Sequence, residues 1–210
     1  VWLKDGRDVW DVFEDARYIG NTRVDPCSRI LKREPARKWI LDNCKPETHD
    51  ITFGISWDED HRLNAIRKHW EGWDVLSPLC DPPLMDKKRM IEEAENDGLT
   101  IPTLYEKGFP HANCGGFCVK AGQAQFAHLL KEMPERYAYH EKRMNDLMAK
   151  QPGLKPFLRK RINGELTYMT MTEWREYVEA GGKYDDRDFG GCNCFFVEDD
   201  FIQIKMFGLQ

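Results

Sequence analysis

At 210 residues, with 41% hydrophobic and 32% charged positions, the chain has the composition of a globular protein that can bury a core in one domain, or in one domain with an appendage. Its formal charge of -5 argues against wholesale wrapping of nucleic acid and still leaves room for a local basic face. No apolar run approaches the roughly 18 residues of a membrane span, and Val1 to Trp10 (VWLKDGRDVW) lacks a signal-peptide layout, so the expectation is a cytoplasmic protein with no membrane partner.

In chain order, the N-terminal piece reads as a loop through Gly20 and Asn21. The stretch RILKREPARK, Arg29 to Lys38, follows as the candidate basic face, either a solvated helix surface or an anion site. A helix is expected from about Arg33 to Asn43, with Pro35 in its first turn where the missing N–H costs nothing. Ile51 to Ile55 (ITFGI) reads as a short buried strand. Ser56 and Glu59 have the spacing of a capping box, which predicts a helix running to about Trp70 and stopping near Gly72. Trp73 to Leu79 reads as a second strand, Met85 to Asn96 as an amphipathic helix closed by Gly98, and Ile101 to Pro110 as a loop.

Helical patterns follow over Val119 to Leu130 and Glu135 to Lys150, separated by Pro134, and KQPGLKP then breaks the chain. Residues 161 to 172 read as a hairpin or irregular strand around Asn163-Gly164, and Met171 to Ala180 as a helix opened by a second capping box, Thr170 with Glu173. The last thirty residues form a tail carrying GGCNCFF. Alternating strands and helices give the expected fold class: α/β, a mostly parallel sheet flanked by helices over 1–150, with a small C-terminal extension over 151–210.

Seven cysteines is an odd number, and in a cytoplasmic setting a disulfide framework is not expected. Cys44 and Cys80 close apolar segments, where cysteine behaves as a small hydrophobe. Cys27, Cys114, Cys118, Cys192 and Cys194 lie instead in Pro- or Gly-rich turns beside polar residues, where thiols can be reached. Three accounts stay open: a metal or iron-sulfur centre on about four thiolates, redox or persulfide chemistry without metal, and idle or structural thiols. His111, three positions before Cys114, could be a ligand or a proton donor. Trp39, Trp70 and Trp174 fall on apolar helical faces and are expected to pack.

Several stretches together resemble the phosphoadenosine phosphosulfate (PAPS) reductase family of the PP-loop class. FGISWDEDHR carries Gly54, Glu59 and Arg62 at the family's strand-end spacing. The later block carries Pro78, Leu79, Pro102, Leu104, Tyr105, Gly108, Phe109, Asn113, Cys114, Gly116 and Cys118, and PCSRILKREP resembles the family's cysteine-then-basic segment. The likeness covers roughly residues 20 to 130 and is nearest in flavour to phage and bacterial members. It implies an adenine nucleotide alpha-hydrolase-like fold and adenine-nucleotide-dependent sulfur chemistry, an oxidoreductase or transferase that reduces activated sulfate or moves sulfur to an acceptor. By that resemblance ATP, PAPS or APS is the nucleotide, held by Arg29, Lys32, Arg33, Gly54, Glu59 and Arg62. Cys27, Cys114, Cys118 and Cys194 become ligands of a [4Fe-4S] cluster, with zinc as the alternative, and Cys192 and Cys194 the catalytic thiols. A thiol or electron donor protein would be a partner.

The sequence departs from the family in three places. Its phosphate loop, Ser-Gly-Gly-Lys-Asp-Ser or close to it, is absent, and with Val1 in place of an initiator Met the expectation is a domain lacking its N-terminal segment. The thiol pair is spaced C-x-x-x-C with Cys27 standing alone, and the tail GGCNCFF lacks the Glu and His of the assimilatory reductases. Two further readings therefore stay open: a sulfurtransferase with a nucleic-acid acceptor, as in DNA or tRNA thiolation, and a non-catalytic remnant or binding module.

Overall fold

A computed structural model describes residues 1–21, 23–162 and 164–190. Helix α1 (Val9–Ala16) is followed by a short turn, Pro26–Ser28, that runs through a π-helical turn, Arg29–Arg33, into α2 (Glu34–Asn43). Strand β1 (Ile51–Thr52) precedes a 3-10 segment, Trp57–Arg62, and α3 (Leu63–His69); β2 (Val75–Leu76) precedes α4 (Lys87–Asn96). Single turns at Thr103–Glu106 and Asn113–Gly116 lead to α5 (Gln123–Glu132) and α6 (Pro134–Lys150). The hairpin β3 (Leu158–Ile162) and β4 (Glu165–Met169) and helix α7 (Met171–Glu179) complete the order. None of the described helices is long and apolar enough to cross a membrane.

Over the described residues the chain divides into two compact units, one centred on Lys32–Ile101 and the other, discontinuous, made of Trp2–Leu31 with residues 102–190. In the first unit β1 and β2 pair in parallel, Ile51 opposite Val75 and Thr52 opposite Leu76, the arrangement expected of a strand-helix-strand unit. A small core of Ile51, Ile55, Leu63, Ile66 and Trp70 lies beneath them. The mostly parallel sheet does not appear among the described residues, whose only other ladder is the antiparallel hairpin. The reason is local. Ser56 and Pro78 each begin a 3-10 turn just past the apolar run, so each of these strands stops after two residues.

The capping box at Ser56 also does not form. Ser56 Oγ turns to the Asp58 carboxylate at 2.5 Å, and the chain enters a 3-10 segment that becomes α-helical only at Leu63. Three acids in one turn, Asp58, Glu59 and Asp60, compete for the same donors. Downstream, α4 begins where Asp86 accepts the amide of Arg89 at 2.8 Å, and Gly98 takes the left-handed backbone that ends it.

The second unit is helical. Trp10, Phe13, Phe117, Phe126, Tyr137, Met144, Phe157, Met171 and Trp174 form its core, and α6 lines it with Tyr137, His140, Met144 and Leu147 at helical spacing. Tyr137 donates its hydroxyl to the Met171 carbonyl at 2.7 Å, tying α6 to the start of α7. The capping box at α7 is present on both sides: Thr170 Oγ1 accepts the Glu173 amide at 3.2 Å, and Glu173 accepts the Thr170 amide at 2.7 Å. The N-terminal loop reading is corrected by α1. Asp8 accepts the amides of Trp10 and Asp11, and Asp11 returns a carboxylate to the Asp8 amide, a box built from two aspartates that buries Trp10, Val12 and Phe13.

Candidate functional site

The turn Asn113–Gly116 is held by its neighbours as well as by its own backbone. Cys114 (φ 51°, ψ 21°) and Gly115 (φ 61°, ψ 32°) are both left-handed, a conformation that costs a residue with a Cβ on the order of 1–2 kcal/mol. Glycine at 115 suits the left-handed backbone, and the flexible Arg136 guanidinium lies in the space a side chain there would occupy. The Phe109 ring and Leu129 close on Gly116 in the same way, at 3.1 and 3.3 Å from its missing Cβ. Gln125 donates to the Gly116 carbonyl at 2.8 Å, and the Phe117 ring stacks on His140 with centroids 3.8 Å apart. Cys114 and Cys118 are thus presented from a turn clamped by α5 and α6.

A buried ion pair links this turn to the cysteine upstream. Lys120 Nζ lies 3.4 Å from Asp25 Oδ2, with the two residues only 7% and 4% exposed. Asp25 is two residues before Cys27, and Lys120 two residues after Cys118, whose Sγ accepts the Lys120 amide N–H at 3.4 Å. Val119 packs at 3.0 Å from the missing Cβ of Gly20, so the segment before Asp25 lies along the same strip. Cys27, half-buried, packs on the aromatic core. Cys118 and His111 line one small cavity with Asn113 and Gln125. The structure therefore gathers the Cys27 turn and the Cys114/Cys118 turn into one unit, and leaves Cys44 and Cys80 in the other.

Cys192 and Cys194 lie outside the described residues. Among those residues no three His, Cys, Asp or Glu side chains are grouped to hold a metal ion. Cys27, Cys114 and Cys118 do not fit a metal centre by themselves.

No known relative was found. Neither a family model, nor a curated protein, nor a solved structure matches the chain.

Of the residues expected at a nucleotide, Lys32, Arg33, Gly54, Glu59 and Arg62 belong to the first unit and Arg29 to the second. Arg29, Lys32 and Arg33 share the π-helical turn, a geometry common at functional positions. Arg62 is buried and donates to Glu59 at 2.5 Å, so these two candidate residues meet each other at i,i+3. The space in front of Gly54 is open.

Three features escaped the sequence reading. Arg136 on the Cys114 loop and the Asp25–Lys120 pair join segments far apart in the chain, and nothing local announces them. His140 does have a signal, since it sits at core spacing between Tyr137 and Met144. Burial, with the nearby Arg136 guanidinium adding to it, lowers its pKa to about 4 and keeps the ring neutral at pH 7.

Proposed function

We propose that this protein carries out thiol-dependent sulfur chemistry with an adenine nucleotide as the activating group, reducing an activated sulfate or passing sulfur to an acceptor. The reading is supported above all by the Asp25–Lys120 pair, which holds the Cys27 turn alongside the Cys118 turn. The left-handed, glycine-dependent turn at Cys114 and the His111–Cys118 cavity support it further.

In the reductive form, a thiolate of Cys192 or Cys194 attacks the sulfur of an adenylyl sulfate. An S–S bond forms, the sulfur–oxygen bond to the nucleotide phosphate breaks, and the nucleotide leaves. A thiol of a dithiol donor protein then attacks the cysteine sulfur, and sulfite departs with the bonding electron pair. The donor's second thiol resolves the mixed disulfide, so two thiols are oxidised as the sulfate sulfur gains two electrons. The described residues would supply orientation: the Lys120 amide fixes the Cys118 sulfur, and His111 offers a proton beside it. An iron-sulfur cluster or zinc, if Cys194 joined Cys27, Cys114 and Cys118, would make the same turns a metal centre.

Anaerobically purified protein separates these outcomes. A brown sample with iron and acid-labile sulfide selects a cluster; a colourless sample with stoichiometric zinc selects zinc. Metal-free protein that releases sulfite from an adenylyl sulfate in the presence of a dithiol selects thiol chemistry alone. Protein with neither metal nor any sulfite or sulfur release abandons the reading.

A further inference from the structure

The β3–β4 hairpin has two unlike faces. Its register pairs Leu158 with Met169, Lys160 with Thr167, Arg159 with Tyr168 and Arg161 with Leu166. Directly opposed residues share a face, and faces alternate along each strand. Leu158 and Met169 are buried, so they turn to the core, and Arg159, Arg161, Leu166 and Tyr168 make up the outward face. Among the described residues that face carries no acid, since Glu165 takes the alternate register position along β4. Its two non-basic members are large and exposed, Leu166 by 48% and Tyr168 by 45%. In a chain of net charge -5, two arginines interleaved with an exposed aromatic ring and an exposed leucine are a local reversal of sign.

The hairpin is fixed from behind. Lys160 lays its ammonium over the Tyr177 ring, 4.4 Å from the centroid, and donates to the Lys183 carbonyl. Gln123 Nε2 donates to the Arg159 carbonyl at 2.8 Å, tying the strand to the start of α5, just past the Cys118 turn. Arg161 reaches across the tip to the Gly164 carbonyl at 3.1 Å. Beside the face lies Tyr18, near enough that Tyr168 reinforces burial in raising its pKa.

We propose that this outward face binds single-stranded nucleic acid. Arginines recur along β3 about 7 Å apart, the two-residue repeat of a strand, so Arg159 and Arg161 can meet successive phosphates of an extended strand. Tyr168, set directly opposite Arg159, offers a ring on which an unpaired base stacks. A duplex keeps its bases stacked inside and gives the ring nothing to stack on. The inference stands on the hairpin alone and does not depend on the sulfur chemistry above.

The test is fluorescence anisotropy of the full chain with a labelled oligothymidylate or oligouridylate of about 20 nucleotides, titrated from about 50 to 300 mM salt. Wild type should bind at the low end. Arg159→Glu with Arg161→Glu should weaken binding at least tenfold and flatten the log–log salt slope by about 1.4, since each phosphate contact on a single strand contributes about 0.7. The control is Lys88→Glu with Arg89→Glu on α4, which changes net charge equally and should stay within about threefold, as a position-specific contact requires. Tyr168→Phe should bind like wild type, whereas Tyr168→Ala should lose on the order of tenfold. Should the hairpin variants fail to fold, photo-crosslinking of wild type to a 5-iodouracil oligomer should place the adduct at Tyr168 or Tyr18. The proposal is overturned by absence of wild-type binding at low salt, by equal losses in the two charge reversals, by adducts elsewhere, by tighter binding to duplex, or by equal hairpin-dependent binding to phosphatidylserine vesicles.

Discussion

Trp10 donates its indole N–H to Nδ1 of His140 across 2.9 Å in the middle of the larger core, and the His140 ring is only 5% exposed. The donor fixes the tautomer: with Nδ1 accepting, the proton sits on Nε2, an atom buried without a hydrogen-bond partner. The folded-state pKa of about 4 lies below the unfolded value, so between pH 6.5 and pH 4 the unfolded chain binds the extra proton. Stability from this site is full above pH 6.5 and falls as pH drops through that window, by on the order of 3 kcal/mol. Urea midpoints should therefore fall between pH 7 and pH 4.5 in wild type and much less in His140→Phe. The variant itself should cost about 1–3 kcal/mol at pH 7, because Trp10 loses its acceptor. Equal pH slopes in the two proteins would refute this account.

The Asp25–Lys120 pair makes a sharper demand. Lys120→Met takes its lysine partner from the buried Asp25 carboxylate, which should cost about 3–5 kcal/mol, whereas Asp25→Leu with Lys120→Met should recover most of that loss. The same single variant should raise the rate at which maleimide labels Cys27 and Cys118, read by mass spectrometry under native conditions. A single-variant cost below about 1 kcal/mol would mean that the pair holds nothing together.

Gly115→Ala should destabilise the protein by about 1–3 kcal/mol, chiefly from the left-handed backbone, since the Arg136 guanidinium that meets the new methyl is the end of a flexible side chain. Arg136→Ala in the same chain removes that contact and leaves the backbone cost, so the double variant should recover no more than about 0.5 kcal/mol of the loss. Chemical denaturation decides. A double variant that recovers most of the loss would show that Arg136, and not the backbone, sets the cost.

Helix α1 depends on one carboxylate. Asp8 caps it and also accepts from Tyr139, at 2.5 Å, and from Arg143, at 3.2 Å, on α6. Asp8→Ala should cost about 2 kcal/mol, more than the roughly 1 kcal/mol expected for Thr170→Ala, which loses a cap alone. Thermal melts of the two variants side by side test the order, and a smaller loss at Asp8 would contradict it.

What could be read from the sequence follows the range of the interaction. Helix α7 and its Thr170–Glu173 box, α4 with Gly98, and Pro35 in the first turn of α2 were all legible, because each is decided by residues within one turn. The α1 box was not, since two aspartates make a less familiar signature than Ser/Thr with Glu. The sheet was overestimated for the opposite reason: ITFGI and WDVLSPL have the apolar character of strands, but pairing length is set by what Ser56 and Pro78 do at their ends. At the candidate site, Gly115 and Gly116 announced a turn, and Cys114 and Cys118 came with it. The clamp on that turn came from Arg136, Phe109 and Lys120, chosen by packing between distant segments.

The hydrogen bond between Trp10 and His140 spans 130 positions of chain. During synthesis α1 leaves the ribosome well before α6, the helix that carries its acceptor. At translation speeds of about 5–20 residues per second, an apolar face of Trp10, Val12 and Phe13 must wait on the order of ten seconds for its cover. The nascent chain therefore passes through a period in which its N-terminal helix is a ready substrate for chaperones. Moving that helix behind α7 by circular permutation would shorten the wait.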